Sequence, residues 1–402
     1  MTTSPSPFER RRSALYAAQR TLIERENEPL QSPGGVLTRY RHPVLTADHA
    51  PLEWRYDFSE ADNPRLLERL GINAIFNAGA LLHEGRHLLM ARIEGVDRKS
   101  FFAIAESQTG VDGFRFWDEP VVIDEAPPSP GGAPAAPTTN VYDARLTAHE
   151  DGYVYAVFCA ERRDPSAPAS DTSAAVAAAG ILRTRDLLRW ERLADLRTPS
   201  PQQRNVVLHP RFVQGRYLLY TRPQDGFIDA GSGGGIAWGL TRSMEDAHVE
   251  QEHLLDPRVY HTIKEAKNGA GAPPIETPDG WLHVAHGVRN TAAGLRYVLY
   301  AFLCAADDPG RIVYAPGGYL LAPEGDERVG DVSNVLFSNG LTVDPGGRLL
   351  LYYGSSDTRL HVAETTVATL LDYVKNTPPD PVTSRGAVEQ RLQLILKNRA
   401  HR

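Results

Sequence analysis

One acidic residue of this sequence stands where acids are uncommon. Asp143, in the segment TNVYDARLT, has small or apolar neighbours on both sides, although aspartate is disfavoured inside strands. A buried carboxylate needs a partner, so one interpretation is an ion pair with Arg145. The other is a general acid, because a buried carboxyl can keep its proton and donate it to a leaving group. We expect Asp143 to be the acid.

Other carboxylates compete for chemical roles. Glu161 is followed directly by Arg162 and Arg163, and these cations favour its ionised form, which makes it the weaker acid. Asp331 and Asp357 follow in turn-rich segments. Inverting hydrolysis of a glycoside needs both an acid and a base, so a hydrolase that uses Asp143 with Asp331 stays open.

Several cations lie beside apolar strand-like segments, which is more positive charge than a neutral sugar requires. They are Arg92, Arg162, Arg183 and Lys267. Arginine presents paired donors that match phosphate, and lysine adds a point charge. Phosphorolysis needs an acid and a dianion pocket but no base, because phosphate is itself the nucleophile. This set therefore favours a phosphorylase over a hydrolase.

Five similar segments must position these side chains. Each has a short strand, a glycine turn and a very apolar strand, and the turn glycines follow one another at intervals of 67, 63, 65 and 67 residues: Gly85, Gly152, Gly215, Gly280 and Gly347. Each segment is typical of a β-hairpin, which cannot bury its face alone. We predict an all-β, five-bladed β-propeller, in which matching positions converge on one central funnel.

Helical extensions flank the predicted propeller. Apolar residues recur at helical spacing over Ser13 to Glu26 and over Gly386 to Lys397. We assign 1–40 to an N-terminal helical extension, 41–363 to the catalytic propeller and 364–402 to a C-terminal helical segment. The Pro/Ala/Gly-rich stretch Ala126 to Thr139 is a connector between the first two repeats.

Composition excludes several classes of protein. The 402 residues carry 43 basic and 50 acidic side chains, a net charge of −7, so we expect no nucleic-acid partner. The two cysteines lie in apolar runs, which excludes a disulfide framework. No apolar stretch is long enough to span a membrane and the N-terminus has no secretory pattern, so we expect a cytoplasmic protein with no membrane partner. We also predict no metal and no cofactor.

Long motifs resemble the mannoside phosphorylases of glycoside hydrolase family 130. The resemblance runs from about Asn73 to Tyr373 and includes NVYDARLT, FCAERRDP, GILRTRD, SPQQRNVVLHP, YTRPQDGF, YHTIKEAKNGAG and YYGSSDTRLHVA. It implies a five-bladed propeller with a central site. It also implies inverting phosphorolysis of 4-O-β-D-mannopyranosyl-D-glucose to α-D-mannose 1-phosphate and D-glucose, with inorganic phosphate as a co-substrate, and a homo-oligomer.

The resemblance assigns roles residue by residue. The single catalytic Asp falls on Asp143, which in the family protonates the glycosidic oxygen through the mannosyl 3-hydroxyl. Phosphate binding is expected at Arg162, Arg183, Lys267 and His286. Which of Lys264, Lys267 and Arg204 contact phosphate stays open. Substrate binding is expected at Asn77, Arg92, Arg222 and Asp357. Acceptors other than glucose, such as mannose or mannooligosaccharides, stay open, as does a carbohydrate-binding propeller without turnover.

Overall fold

The computed structural model describes residues 4–128 and 136–401, and it is a five-bladed β-propeller. Part of the predicted connector, Ala126 to Thr139, therefore lies outside the described residues. All five repeat glycines sit in hairpin turns with positive φ, from 71° at Gly215 to 133° at Gly280, a conformation that glycine adopts at no steric cost. The predicted repeat and fold class are confirmed.

The elements follow the repeat closely. The chain begins with α1 (Pro7–Ile23), β1 (Thr38–Arg39) and two 3₁₀ turns (Ala47–His49 and Leu52–Trp54). Blade 1 contains β2 (Ile72–His83), β3 (Arg86–Gly95), β4 (Ser100–Ser107) and β5 (Arg115–Phe116). Blade 2 contains β6 (Asn140–Ala148), β7 (Val154–Arg163), β8 (Ala175–Thr184) and β9 (Glu191–Leu193).

A short strand, β10 (Gln202–Gln203), precedes blade 3 and pairs with β13. Blade 3 and its insertion comprise β11 (Val207–Val213), β12 (Arg216–Thr221), β13 (Pro223–Gln224), β14 (Ile236–Thr241) and β15 (His253–Asp256). Blade 4 comprises β16 (Lys267–Ala270), β17 (Ile275–Thr277), β18 (Gly280–Thr291), β19 (Gly294–Cys304) and β20 (Ile312–Tyr314). Blade 5 follows a 3₁₀ turn (Gly325–Arg328) and comprises β21 (Leu336–Val343), β22 (Arg348–Ser355) and β23 (Arg359–Thr366). Helices α2 (Val367–Asn376) and α3 (Ser384–Arg399) come after it.

The N-terminal segment closes the ring. Strand β1 pairs antiparallel with β23, with Thr38 opposite Glu364, and so becomes the outermost strand of blade 5. This pairing lies across the predicted domain limits at residues 40 and 363. It ties the two ends of the propeller together, because opening blade 5 would require both the first and the last strand to separate.

The terminal helices begin and end at recognisable signals. Helix α1 starts earlier than predicted, because Ser6 and Glu9 form a reciprocal capping box and Pro7 occupies the first turn. Helix α3 covers the predicted stretch. The C-terminal segment also contains α2, which buries Leu370 and Val374 against the core between blades 4 and 5. Among the described residues, no helix is long and apolar enough to cross a membrane.

The innermost strands carry irregularities at matching positions. Pairing shifts register at Asn77 in blade 1, at Asp143 in blade 2, at His209 in blade 3 and at Ser338 in blade 5. In blade 4 the inner strand is interrupted between β16 and β17. A bulge turns a side chain away from its alternating direction. These breaks explain why polar residues occur inside the inner strands.

Candidate active site

A cavity of about 970 Å³ opens where the bulged inner strands meet. Its wall draws on all five blades, and its polar and aromatic members include Asn77, Arg92, Glu94, Tyr142, Asp143, Glu161, Arg204, Asn205, Arg222, Lys267, Tyr297, Asp331 and Asp357. The volume is at the upper end of what small-molecule sites enclose. Five of the predicted site residues besides Asp143 are among them: Asn77, Arg92, Arg222, Lys267 and Asp357.

Asp143 lies in the β6 bulge with φ of 61°, and its side chain is 14 % exposed. Asn77 Nδ2 donates a hydrogen bond to its Oδ1 over 2.9 Å, and Arg92 Nη1 lies 3.8 Å from the same oxygen. Arg145 donates to the backbone oxygen of Asp143 rather than to its carboxylate. The ion pair with Arg145 that the sequence left open is therefore not formed, and the carboxyl faces the cavity.

The wall beside Asp143 suits the hydroxyl groups of a sugar. Arg92 is held by Glu94 at 2.8 Å and by Ser100 Oγ at 3.0 Å, and its guanidinium lies 4.5 Å above the ring of Phe76. Burial raises the pKa of Asp357 to about 7, assisted by the nearby carboxylates and opposed by Arg92. Near neutral pH, Asp357 can therefore either donate to or accept from a hydroxyl.

The opposite part of the wall is cationic. Arg204, Arg222 and Lys267 make no ion pair among the described residues, and the Nε atoms of Arg204 and Arg222 are buried without a hydrogen-bond partner. Burial and then Arg204 lower the pKa of Arg222 to about 10. Burial, Arg222 and Arg204 lower the pKa of Lys267 to about 8. Burial opposes the charged form of Arg204, but nearby acidic groups, among them Asp143 and Glu161, raise its pKa. Unpaired donors on three neighbouring cations are suited to an anion.

Lys264 and His286 differ from Lys267 in their surroundings. Lys264 bonds Asp256 at 2.5 Å and lies away from the cavity wall. His286 is fully buried behind that wall, where Asn205 Nδ2 is 3.3 Å from its Nε2. Burial, reinforced by nearby cations, lowers the pKa of His286 well below its ordinary value. That His286 contacts phosphate stays a prediction; in this structure its polar side-chain contact is with Asn205.

Arg162 and Arg183 lie outside the cavity, which corrects the prediction that they face phosphate. Arg162 Nη1 is 2.7 Å from Asp195, and Arg183 bonds Glu191 at 2.7 Å and Glu245 at 3.0 Å. The reason is strand geometry. Neighbouring residues of β7 point to opposite faces, so Glu161 lines the cavity and Arg162 points away, while Arg183 is on β8, two strands out from the centre.

The sequence matches a protein-family model over most of its length. The model described as glycoside hydrolase family 130, beta-1,4-mannooligosaccharide phosphorylase, matches residues 50–376. The chain belongs to this family. The matched range starts before blade 1 and ends in α2, so it contains every cavity residue named above.

Relatives within family 130 agree with this assignment. The chain is 57% identical over 393 residues to a 4-O-beta-D-mannosyl-D-glucose phosphorylase from Bacteroides fragilis, covering 98% of each chain. It is 37% identical over 182 residues to a beta-1,4-mannooligosaccharide phosphorylase from Ruminococcus albus, covering 44% of this chain and 52% of the relative. The fold matches the beta-1,2-mannobiose phosphorylase structure from Listeria innocua, with a TM-score of 0.65, 20% identity and coverage of 84% and 99%.

Five cavity residues of this family 130 chain other than glycine have left-handed backbone. Asn77, Arg98, Asp143, Asn205 and Asp357 have φ between 47° and 67°, which is uncommon for residues with a Cβ and is concentrated at functional sites. All five of these residues line the cavity. Glycine at position 354 leaves room for the Asn77 side chain, because a Cβ there would overlap Asn77 Oδ1.

The sequence left open whether Arg204 contacts phosphate and gave Asn205 no role. Both directly precede the inner strand of blade 3, and both line the cavity. A signal existed, because Tyr142 and Asp143 hold a comparable place on the inner strand of blade 2. The aromatic rings of Tyr142 and Tyr297 also line the cavity. Among the described residues no group of His, Cys, Asp and Glu is arranged to hold a metal ion.

Proposed function

We propose that this protein catalyses the reversible, inverting phosphorolysis of 4-O-β-D-mannopyranosyl-D-glucose to α-D-mannose 1-phosphate and D-glucose. One observation carries the proposal: three cations that form no ion pair among the described residues, Arg204, Arg222 and Lys267, share a cavity with Asp143. A neutral disaccharide would leave these charges uncompensated, whereas a phosphate dianion would neutralise them. The glucose acceptor is supported by the relative from Bacteroides fragilis, which aligns over 98% of both chains.

The proposed mechanism is a single displacement. Phosphate bound at Arg204, Arg222 and Lys267 attacks the anomeric carbon of the mannosyl unit on the face opposite the glycosidic bond. The C1–O bond breaks, its electron pair goes to O4 of glucose, and that oxygen takes the proton supplied by Asp143. One displacement turns the β-linkage into an α-phosphate, and phosphate makes a catalytic base unnecessary. The cations also stabilise the charge that moves during attack.

Asn77, Arg92 and Asp357 hold the mannosyl unit in this mechanism. Asn77 and Arg92 both contact Asp143 Oδ1, which directs the other carboxyl oxygen to the substrate. With its pKa near 7, Asp357 can donate a hydrogen bond to a sugar hydroxyl when protonated and accept one when ionised. Relay of the proton through the mannosyl 3-hydroxyl, as the family resemblance implies, requires the carboxyl and this hydroxyl to be adjacent.

The deciding experiment measures the rate at which mannose 1-phosphate forms from mannosyl-glucose and from β-1,4-mannobiose, each with and without inorganic phosphate. We expect product from mannosyl-glucose only when phosphate is present, and slower turnover of mannobiose. Free mannose released without phosphate would instead support a hydrolase. Preference for mannobiose would move the protein to the mannooligosaccharide phosphorylases.

Asp143→Asn tests the acid. We expect kcat to fall by roughly 10³-fold, since positioned proton donors contribute about 10²–10⁴, while the melting temperature changes little. Asp307→Asn is the matched control, because the side chain of Asp307 is 85% exposed. An Asp143→Asn variant with near-normal turnover would remove Asp143 from the mechanism.

We also propose that the protein is a cytoplasmic homo-oligomer. Helix α3 has no buried residue in the single chain, and it exposes Val388, Leu392, Leu394, Ile395 and Leu396. Exposed apolar clusters of this kind mark contact surfaces. The two buried free thiols, Cys159 and Cys304, fit a reducing compartment. Light scattering of the purified protein measures the oligomer, and a mass equal to one chain would contradict it.

A further inference from the structure

Arg145 is the most deeply buried cation near the active site, with 1% of its surface exposed. It follows Asp143 by two residues on β6 and reaches across the centre of the propeller. Its guanidinium donates to the backbone oxygen of Asp143 at 2.6 Å, to Asn205 Oδ1 at 2.9 Å and to the backbone oxygen of Gly271 at 3.1 Å. One side chain thereby joins blades 2 and 4 with the segment that enters blade 3.

Arg145 forms no ion pair among the described residues, and burial lowers its pKa to about 10, although the charge of Asp143 opposes this shift. Burying a cation against neutral partners costs free energy. An apolar side chain of similar volume would fill the same space without that cost. The hydrogen bonds that Arg145 makes therefore point to a role in the site rather than in stability.

Arg145 sets the orientation of Asn205. A guanidinium has only donors, so the amide atom that faces it must be the oxygen of Asn205. The amide nitrogen then faces His286 Nε2 at 3.3 Å, and a neutral His286 must accept there and carry its proton on Nδ1. Gly269 confines this pair, since a Cβ at that position would lie 2.9 Å from Asn205 Nδ2. Removing the guanidinium would free the amide to rotate.

We propose that Arg145 is a positioning residue that holds the acid Asp143 and the phosphate wall at Arg204–Asn205 in register. Arg145 does not itself line the cavity. The left-handed backbone at both Asp143 and Asn205 needs such an external restraint, because each conformation is strained by itself. The proposal rests on the proposed function, since it assigns Arg145 to the alignment of the two groups that the displacement uses.

Arg145→Lys tests the proposal while it keeps the positive charge. One ammonium can satisfy Asp143 or Asn205 but cannot reproduce the planar fork that bonds both. We expect kcat at saturating phosphate to fall roughly 10²-fold, as misplacement by about 1 Å can cause, together with a several-fold higher KM for phosphate. Arg192→Lys is the matched control. Arg192 is 8% exposed, pairs with Asp195 and lies outside the cavity, so kcat per folded molecule should not change.

A double-mutant cycle with Asn205→Ala separates positioning from independent effects. If Arg145 acts through Asn205, the double variant should lose little more kcat than the worse single variant, whereas independent losses would multiply. Asn205→Ala also gives a test if Arg145→Lys does not fold. Positioning predicts a lower kcat even at saturating phosphate, and a change confined to the phosphate KM would overturn it.

The outcomes also separate this proposal from the proposed function. Normal kcat and phosphate KM in folded Arg145→Lys, alongside an active wild type, would overturn the positioning role alone. A wild-type protein that forms no mannose 1-phosphate would overturn the proposed function instead.

Discussion

Two groups of arginines in this propeller have the same side chain and opposite surroundings. Arg162 and Arg183 in blade 2 are paired with carboxylates at 2.7 Å, whereas Arg204 and Arg222 lie in the cavity without a carboxylate partner among the described residues. The charge of each paired arginine is neutralised by a carboxylate of the protein itself. Unpaired ones keep donors that suit an anion, although burial and Arg204 disfavour the charged form of Arg222. Residue type alone does not identify a phosphate site, and the presence or absence of a partner decides.

Arg204→Ala should have the largest effect on the use of phosphate. We expect kcat/KM for phosphate to fall by roughly 10²–10³-fold, the usual loss when one donor to a developing charge is removed. Steady-state rates at varied phosphate concentration measure this. Arg163→Ala, in an exposed position on β7, is the control. Unchanged phosphate dependence in Arg204→Ala would place phosphate elsewhere.

Lys267→Met should raise the KM for phosphate roughly 10-fold. It should also remove the increase in this KM that we expect in the wild type above pH 8. With a pKa of about 8, Lys267 loses its proton as the pH rises through 8, so the wild-type KM should rise there. Lys264→Met is the matched control, because Lys264 is paired with Asp256 outside the cavity. An identical alkaline rise in Lys267→Met would exclude Lys267 as its source.

Lys267 also predicts an effect on stability. Its folded-state pKa is below the ordinary 10.5, so the phosphate-free protein should gain stability as the pH rises from about 8 to 10.5. Near pH 7, Lys267→Met should therefore melt at a higher temperature than the wild type when phosphate is absent. A lower melting temperature would show that Lys267 is not under repulsion.

Arg162→Ala should affect stability rather than phosphate use. Loss of its bond to Asp195 should destabilise the fold by about 2 kcal/mol, less than for most buried pairs, because Arg192 still bonds Asp195. Denaturant unfolding measures this loss, and the phosphate KM should not change. A large rise in that KM would restore Arg162 to the phosphate site and would break the comparison between paired and unpaired arginines.

Arg183→Ala should have the smallest effect. Its partners Glu191 and Glu245 are largely exposed, and pairs of this kind contribute about 1 kcal/mol or less. We expect a small change in the unfolding midpoint and no change in phosphate KM. A phosphate KM that rises as in Arg204→Ala would contradict this placement.

The fold was largely predictable because it repeats. A turn glycine every 63 to 67 residues requires only local chemistry, namely a left-handed turn between two apolar strands. The closure by β1 was not predictable, because a pair such as Thr38 with Glu364 is separated by most of the chain. Helix α2 lay within a correctly predicted helical segment, but its limits depend on packing against the core between blades 4 and 5.

The site was predictable where the backbone itself is unusual. Asp143 and Asn77 stood out because polar residues interrupt apolar strands, and both occupy bulges. The sequence did not show that Arg162 points to the face of β7 opposite the cavity, because the strand's orientation in the blade depends on its neighbours. Arg204 lies near the start of the inner strand of blade 3, and Tyr142 lies near the start of the inner strand of blade 2. Only the closed propeller shows that both residues line the same cavity.

The sequence by itself determined the fold class, the family resemblance and the acidic residue at the centre, because these depend on local patterns and on long shared motifs. Only the tertiary structure decided which cations are free. Whether a guanidinium meets Asp195 or an open cavity depends on strand faces and on contacts between distant blades. Those distances arise only when the ring closes.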